Sequence, residues 1–160
     1  MRGLLMGLGI FLCLLAIGLW IGWGVGHWFL AKDTLRVLNR AQVAAEAKDM
    51  YGYITMLREE MEERGMIKGH AALIFKTPLN NMKLIYQTVL RTQERLEAIK
   101  DISPSETTYQ VALDDLRGVL RELDLCTGGW FWAHHWWWIT LSFFILIVGI
   151  ILFLSASGWE

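Results

Sequence analysis

The sequence contains only two prolines and two cysteines in 160 residues, too few cysteines for a disulfide framework. Cys13 lies near the middle of one long apolar run, and Cys126 lies just before another. Because these positions correspond to different depths along two predicted helices, the thiols should not meet. We therefore expect no disulfide bond.

The sequence also lacks the motifs that carry common enzyme chemistry. It has no Gly-x-Ser-x-Gly, no His-Glu-x-x-His, no Cys-x-x-Cys and no dinucleotide-binding fingerprint. An acidic cluster at residues 59–63 has no EF-hand pattern and is flanked by arginines, which is typical of a solvated helix face. The net charge of −1 lacks the positive excess that is typical of proteins that bind nucleic acid. We expect neither enzymatic activity nor a nucleic-acid partner.

Charge is absent from both ends of the chain. Residues 3–31 and 130–159 contain no Asp, Glu, Lys or Arg, and 29 of the 31 charged residues lie in 32–129. An apolar helix of about 20 residues crosses the roughly 30 Å hydrocarbon core of a bilayer. The sequence predicts transmembrane helices at 3–31 and 130–156. A cleaved signal peptide is disfavoured for the first run, which exceeds the usual apolar length of about 7–15 residues.

Basic residues indicate the orientation of the two predicted spans. Lys32, Arg36 and Arg40 follow the first span, and Arg117 and Arg121 precede the second, whereas the outer ends offer only Arg2. By the positive-inside rule, the middle segment should be cytoplasmic and both termini should lie on the opposite side.

The first predicted span has a glycine face. Gly18, Gly22 and Gly26 recur every four residues, and small residues at this spacing let another helix approach closely in lipid. The partner is open at this stage: the second span, a second copy of the chain, or another subunit.

Tryptophan is abundant, with nine residues in the chain, and eight of them fall on one predicted leaflet. An indole suits the headgroup boundary because it combines an apolar body with one N–H donor. Trp159 is expected to anchor the opposite face. The predicted belt at the domain side consists of Trp20, Trp23, Trp28, Trp130, Trp132, Trp136, Trp137 and Trp138.

Three histidines share this aromatic layer, and they are the only candidates for a cofactor site. His27 on one span with His134 or His135 on the other suggests a haem or metal ligand pair. Against it, adjacent histidines point about 100° apart on a helix, and no carboxylate lies beside them. We therefore expect no bound cofactor and retain haem or metal as an alternative.

The middle segment, residues 32–129, reads as a soluble helical domain. Apolar stripes predict helices at about 32–64, 79–101 and 104–125. Three helices of alternating direction would leave the chain at the far end, so either the last two both return around Pro104 or the first breaks near Gly52. Gly65 should end the first, and Ser103-Pro104-Ser105-Glu106 has the form of a capping box that starts the third. The apolar stretch 71–75 is expected to be buried. Lys32, Arg36 and Arg40 lie on one helical face, where they suit lipid phosphates or an acidic partner.

The predicted fold class is therefore an all-α membrane protein, with two transmembrane helices flanking a cytoplasmic antiparallel helical bundle or coiled coil. The leading functional hypothesis is a structural membrane subunit that associates through the glycine face with itself or with other membrane proteins. One alternative is a homo-oligomeric ion channel, whose pore would have to be apolar. The other is a haem- or metal-binding electron-transfer subunit.

Overall fold

A computed structural model describes residues 1–158, and Trp159 lies outside the described residues. These residues form five α-helices and a short 3₁₀-helix at Pro78–Asn80, and they contain no β-strand. The prediction of an all-helical chain with two helices long and apolar enough to cross a membrane is confirmed. The α-helices are α1 (Arg2–Val43), α2 (Ala47–Glu63), α3 (Met82–Ile99), α4 (Thr107–Glu122) and α5 (Thr127–Ser157).

The chain divides into two compact units. One comprises residues 1–29 and the described residues from 134 onward, and we call it the apolar unit. The other comprises Leu30–Ala133, and we call it the charged unit. The long helices α1 and α5 each contribute residues to both units.

The core of the charged unit is built from the apolar stripes of its helices. On α2 these residues recur at spacings of three and four, and they are fully buried. Helices α2 and α3 are joined by hydrogen bonds from Tyr86 to Glu62 (2.5 Å) and from Gln93 to Thr55 (3.0 Å). The largest fully buried side chains include Met50, Ile54, Leu57, Met61, Met82, Leu96, Leu113, Leu116 and Leu120.

The single helix predicted over residues 32–64 is divided in the structure: α1 ends at Val43 and α2 begins at Ala47. Side chains of α4 stabilise the break. The Arg117 guanidinium donates to the carbonyl oxygens of Ala44 (2.6 Å) and Ala45 (3.2 Å). The Ala47 N–H donates to the Tyr109 hydroxyl at 2.7 Å. These bonds replace partners that a continuous helix would have supplied.

The other two predicted helices are shorter than expected. Helix α3 begins at Met82 because Pro78–Asn80 forms a separate 3₁₀ turn. Helix α4 begins at Thr107, and its N-cap Glu106 makes no side-chain capping bond. The Ser103 and Ser105 hydroxyls bond each other at 2.8 Å, so the predicted capping box is not formed.

The end of α2 confirms the prediction made for Gly65. This residue has φ of +70°, and its N–H donates to Glu62 O at 3.0 Å. The Met66 N–H donates to Met61 O at 2.7 Å, which completes a Schellman motif, and the Met66 side chain is buried.

We expect Gly65→Ala to destabilise the protein by about 1–2 kcal/mol, because alanine is strained at positive φ. A Cβ at this position meets nothing within 4 Å, so no clash contributes. Gly52→Ala is the matched control: Gly52 is helical, exposed and equally uncrowded, and alanine there should stabilise by about 0.5–1 kcal/mol. Thermal unfolding of both variants, followed by circular dichroism, checks the opposite signs; equal shifts would contradict the prediction.

Candidate helix-packing and membrane-interface site

Within the apolar unit, α1 and α5 approach closely at a pair of glycines. A Cβ added to Gly9 would lie 2.8 Å from Gly149 O and 2.8 Å from Phe153 N. A Cβ added to Gly149 would lie 3.0 Å from Gly9 O and 3.0 Å from Cys13 Sγ. Because the atoms that an added Cβ would meet include backbone atoms, the two helices can be this close only where both residues are glycine. Small residues allow two helix backbones to approach this closely.

The buried residues of the apolar unit are all small. They recur at intervals of seven on each helix, the spacing of a left-handed helix pair. We call this row the small-residue seam. The sequence reading missed it, since the row mixes glycine, alanine and serine. Its members are Gly9 and Ala16 on α1, and Ser142, Gly149 and Ala156 on α5.

The predicted glycine face lies elsewhere on α1. A Cβ at Gly18 or Gly22 would meet nothing within 4 Å, and Gly26 is exposed. At about 100° per residue, Gly18 lies roughly 200° around the helix from Ala16 in the seam. Helix α1 therefore presents two different faces of small residues. One packs within the chain, and nothing in the described residues covers Gly18 or Gly22 on the other.

Trp20 has a role that the sequence did not indicate. Its indole N–H donates to Ser142 Oγ at 2.5 Å, and its ring meets Phe143 edge-on with centroids 4.8 Å apart. Ser142 is 1% exposed. The hydrogen bond joins α1 to α5 at Ser142, a member of the small-residue seam, so the donor is used within the apolar unit.

The remaining predicted belt residues differ in exposure. Trp23 is half-buried, and Trp137 stacks on Trp138 with centroids 4.3 Å apart. Trp130 is 6% exposed and belongs to the core of the charged unit, so its indole is not on the surface. The exposed members, between 40% and 54%, are Trp28, Trp132, Trp136, Trp137 and Trp138.

The three histidines of the aromatic layer have different surroundings. The His27 ring stacks on Trp23 one turn earlier, with centroids 6.0 Å apart and planes inclined by 14°. His134 is exposed and His135 is half-buried. In residues 1–158, no group of three or more His, Cys, Asp or Glu side chains is placed to hold a metal ion.

The predicted basic row is exposed. Lys32, Arg36 and Arg40 project from the part of α1 that belongs to the charged unit. Neither arginine takes part in a salt bridge within residues 1–158. Their guanidinium groups remain accessible to a phosphate or a carboxylate from outside the chain.

The apolar stretch 71–75 corrects an expectation. Ala71 is buried as expected, at 5% exposed, but Leu73 is 51% exposed, and Ile74 and Phe75 are each 80% exposed. Leu79, on the 3₁₀ turn, is 83% exposed. We call the four exposed residues, Leu73, Ile74, Phe75 and Leu79, the loop tip.

The thiol of Cys126 lies just before α5, within 3.8 Å of Leu79 O. Burial, the nearby Asp124 charge and a hydrogen bond to Asp124 raise the pKa of this thiol to about 11. Since the thiolate is the reactive form, Cys126 should be protonated and slow to react at neutral pH.

We expect Cys126, in a Cys13→Ala background, to react with iodoacetamide at pH 8 roughly tenfold more slowly than an exposed reference thiol. The pKa of about 11 against the ordinary 9.0 lowers the thiolate fraction. A more basic thiolate is also more nucleophilic, and this offsets about half of the decrease in the logarithm of the rate. Met56→Cys on exposed α2 surface is the reference. The rate should keep rising above pH 9; a plateau there would contradict the prediction.

Comparison with protein-family models, with curated proteins and with solved structures finds no match to this chain.

Proposed function

We propose that this chain is a non-enzymatic structural subunit of a membrane, which crosses the bilayer twice and associates with other membrane helices through Gly18, Gly22 and Gly26. The observation that carries the proposal is the pair of faces on α1. The small-residue seam supplies the close packing within the chain, and the glycine row is left open. The partner is a second copy or another membrane subunit.

Insertion of α1 and α5 in lipid is supported by their composition and exposure. In the most apolar stretch of each helix, only 11% and 17% of the residues are buried within the chain. A core helix of a soluble protein would hide most of its apolar residues. Here large side chains such as Phe11, Leu14 and Phe144 are 60–66% exposed, which water would penalise and lipid would not.

For the charged unit we propose an antiparallel helical bundle in the cytoplasm, with both termini across the membrane. The bundle is supported by the hydrogen bonds between α2 and α3. Thr55 pairs with Gln93, and Glu62, further along α2, pairs with Tyr86, which is earlier in α3, as expected for antiparallel helices. The orientation is supported by the exposed basic row beside the first span. A membrane-impermeant maleimide should label Met56→Cys in a Cys13→Ala/Cys126→Ser background only after the cells are permeabilised.

The proposed association is tested by placing a large side chain on the open face. In cells that express two differently tagged copies, we expect Gly22→Leu to lower recovery of one copy with the other several-fold, because leucine separates helices that pack on glycine. Gly24→Leu is the matched control. Gly24 is equally exposed and uncrowded but lies roughly 160° away around the helix from Gly22.

The outcomes separate the two kinds of partner. If copies are recovered together and only Gly22→Leu reduces recovery, the partner is a second copy. If copies are not recovered together but Gly22→Leu removes a co-purifying membrane protein that Gly24→Leu retains, the partner is that subunit. Equal behaviour of both variants with all partners would contradict the proposal.

A further inference from the structure

The loop tip combines large apolar side chains with high exposure on the surface of the charged unit. Ile74, Phe75 and Leu79 are each at least 80% exposed. Three large apolar residues clustered in this way are more than the scattered exposure of an ordinary surface. A cluster of this kind marks a surface that meets lipid or another protein.

The loop that carries the tip has a defined conformation. Its base is closed by hydrogen bonds from Ala71 N–H to Asn80 O (2.8 Å) and from Met82 N–H to Gly69 O (3.0 Å). Within the loop, the Asn80 side-chain amide donates to Phe75 O at 2.7 Å, and its oxygen accepts from Thr77 N–H at 3.0 Å. The apolar side chains are therefore held outward by a bonded backbone.

The base of the loop packs against the start of α5. Gly129 faces the carbonyl oxygen of Ala71, at a distance that leaves no room for a Cβ on the glycine. The Cys126 thiol lies near Leu79 O. The chain then runs directly through the exposed Trp132 into the apolar part of α5. The loop base thus lies against the first residues of α5, the helix that continues along the chain into the apolar unit.

The charged side chains of the loop segment itself have one sign. Residues 64–93 contain five Lys and Arg residues and no Asp or Glu. Lys68, Lys76 and Lys83 are exposed, and none of them forms a salt bridge within residues 1–158. Lysines around an apolar cluster are the pattern of a segment that inserts between acyl chains while its cations meet anionic lipid headgroups.

We propose that the loop tip is an interfacial membrane anchor, in which Leu73, Ile74, Phe75 and Leu79 enter the lipid beside α5 and the flanking lysines contact lipid phosphates. The inference rests on the proposed insertion of α1 and α5 in the bilayer. A lipid occupant is favoured over a protein partner because the base of the loop packs against the start of α5, the helix that we propose enters lipid. The anchor holds the membrane-proximal end of the charged unit against the bilayer surface.

The test measures the depth of a nitroxide label at Phe75→Cys in the full chain, in a Cys13→Ala/Cys126→Ser background. The protein is reconstituted in vesicles of phosphatidylcholine and phosphatidylglycerol. Relaxation by oxygen, which concentrates in lipid, is compared with relaxation by a water-soluble nickel chelate. Phe144→Cys reports the apolar part of α5, and Met56→Cys reports exposed surface of α2. We expect the oxygen-to-nickel ratio at Phe75 to exceed that at Met56 several-fold.

A second label at Ile74→Cys should give the same result if the anchor is real. In a Lys76→Glu/Lys83→Glu variant, the ratio at Phe75 should fall in vesicles with phosphatidylglycerol and change little in phosphatidylcholine alone. A water-like ratio at Phe75 and Ile74, with a lipid-like ratio at Phe144, would overturn the anchor and leave the proposed spans intact. Protection of the tip from both reagents would overturn it in favour of a protein partner. A water-like ratio at Phe144 would overturn the insertion itself.

Discussion

Replacing Gly9 by leucine is expected to destabilise the pairing of α1 with α5 by about 3 kcal/mol, the upper end of the range for overpacking a close contact. Even the first added carbon would lie 2.8 Å from two backbone atoms, Gly149 O and Phe153 N. Backbone atoms of a helix cannot turn aside as a flexible side chain can, so the helices must separate. Separation also lengthens the 2.5 Å hydrogen bond from Trp20 to Ser142.

Gly7→Leu is the matched control, since Gly7 is exposed and an added Cβ meets nothing within 4 Å. It should leave the pairing of α1 with α5 intact and add only the gain in helix propensity, about 0.5–1 kcal/mol. Unfolding of each variant by sodium dodecyl sulfate from lipid micelles, followed by circular dichroism, gives the difference in stability. If Gly9→Leu is no less stable than Gly7→Leu, the seam does not hold the two helices together.

The seam also shows what the sequence could not reveal about the apolar unit. The two apolar helices were predictable because Asp, Glu, Lys and Arg are absent from both ends of the chain. Their packing faces were not, because a helix that is apolar all around carries no hydrophobic periodicity to mark a buried side. Small-residue spacing was the remaining signal. On α1 it occurs every four residues at Gly3 and Gly7 and again from Gly18 to Gly26, and every seven residues at Gly9 and Ala16. Only the structure distinguishes the packed face from the others.

The position of the break between α1 and α2, which the sequence suggested only near Gly52, escaped prediction for a different reason. Nothing local stops a helix at Val43, since residues 41–47 contain neither glycine nor proline. The backbone groups at the end of α1 and the start of α2 form hydrogen bonds with Arg117 and Tyr109, more than 60 positions away in the chain. Local propensity favoured continuity, and these tertiary hydrogen bonds override it. At Gly65 the cause is local, and the prediction was correct.

The loop tip was misread because a short apolar run does not by itself indicate what covers it. Residues 71–75 read as buried packing, and only Ala71 fulfils that expectation. The absence of Asp and Glu from residues 64–93 was a second signal, which favours a surface near anionic lipid over a site inside a bundle.

Gly129→Ala is expected to destabilise the charged unit by about 1–2 kcal/mol, although alanine is the better helix former. In an open helical position the substitution would stabilise by about 0.5–1 kcal/mol. At Gly129 the added Cβ overlaps the Ala71 carbonyl oxygen, so α5 or the loop base must move, at a cost of roughly 1–3 kcal/mol. The clash exceeds the gain in helix propensity, and the sign reverses.

Gly118→Ala isolates the propensity effect, because Gly118 lies within α4 and an added Cβ there meets nothing within 4 Å. In thermal unfolding of the full chain in detergent, the midpoint temperature of Gly118→Ala should be higher than that of the parent protein, and that of Gly129→Ala should be lower. Because Gly129 packs on the loop base, its replacement should also move the label at Phe75 toward water. Stabilisation by both substitutions would mean that α5 does not pack against Ala71, and the loop tip would lose its link to the second apolar helix.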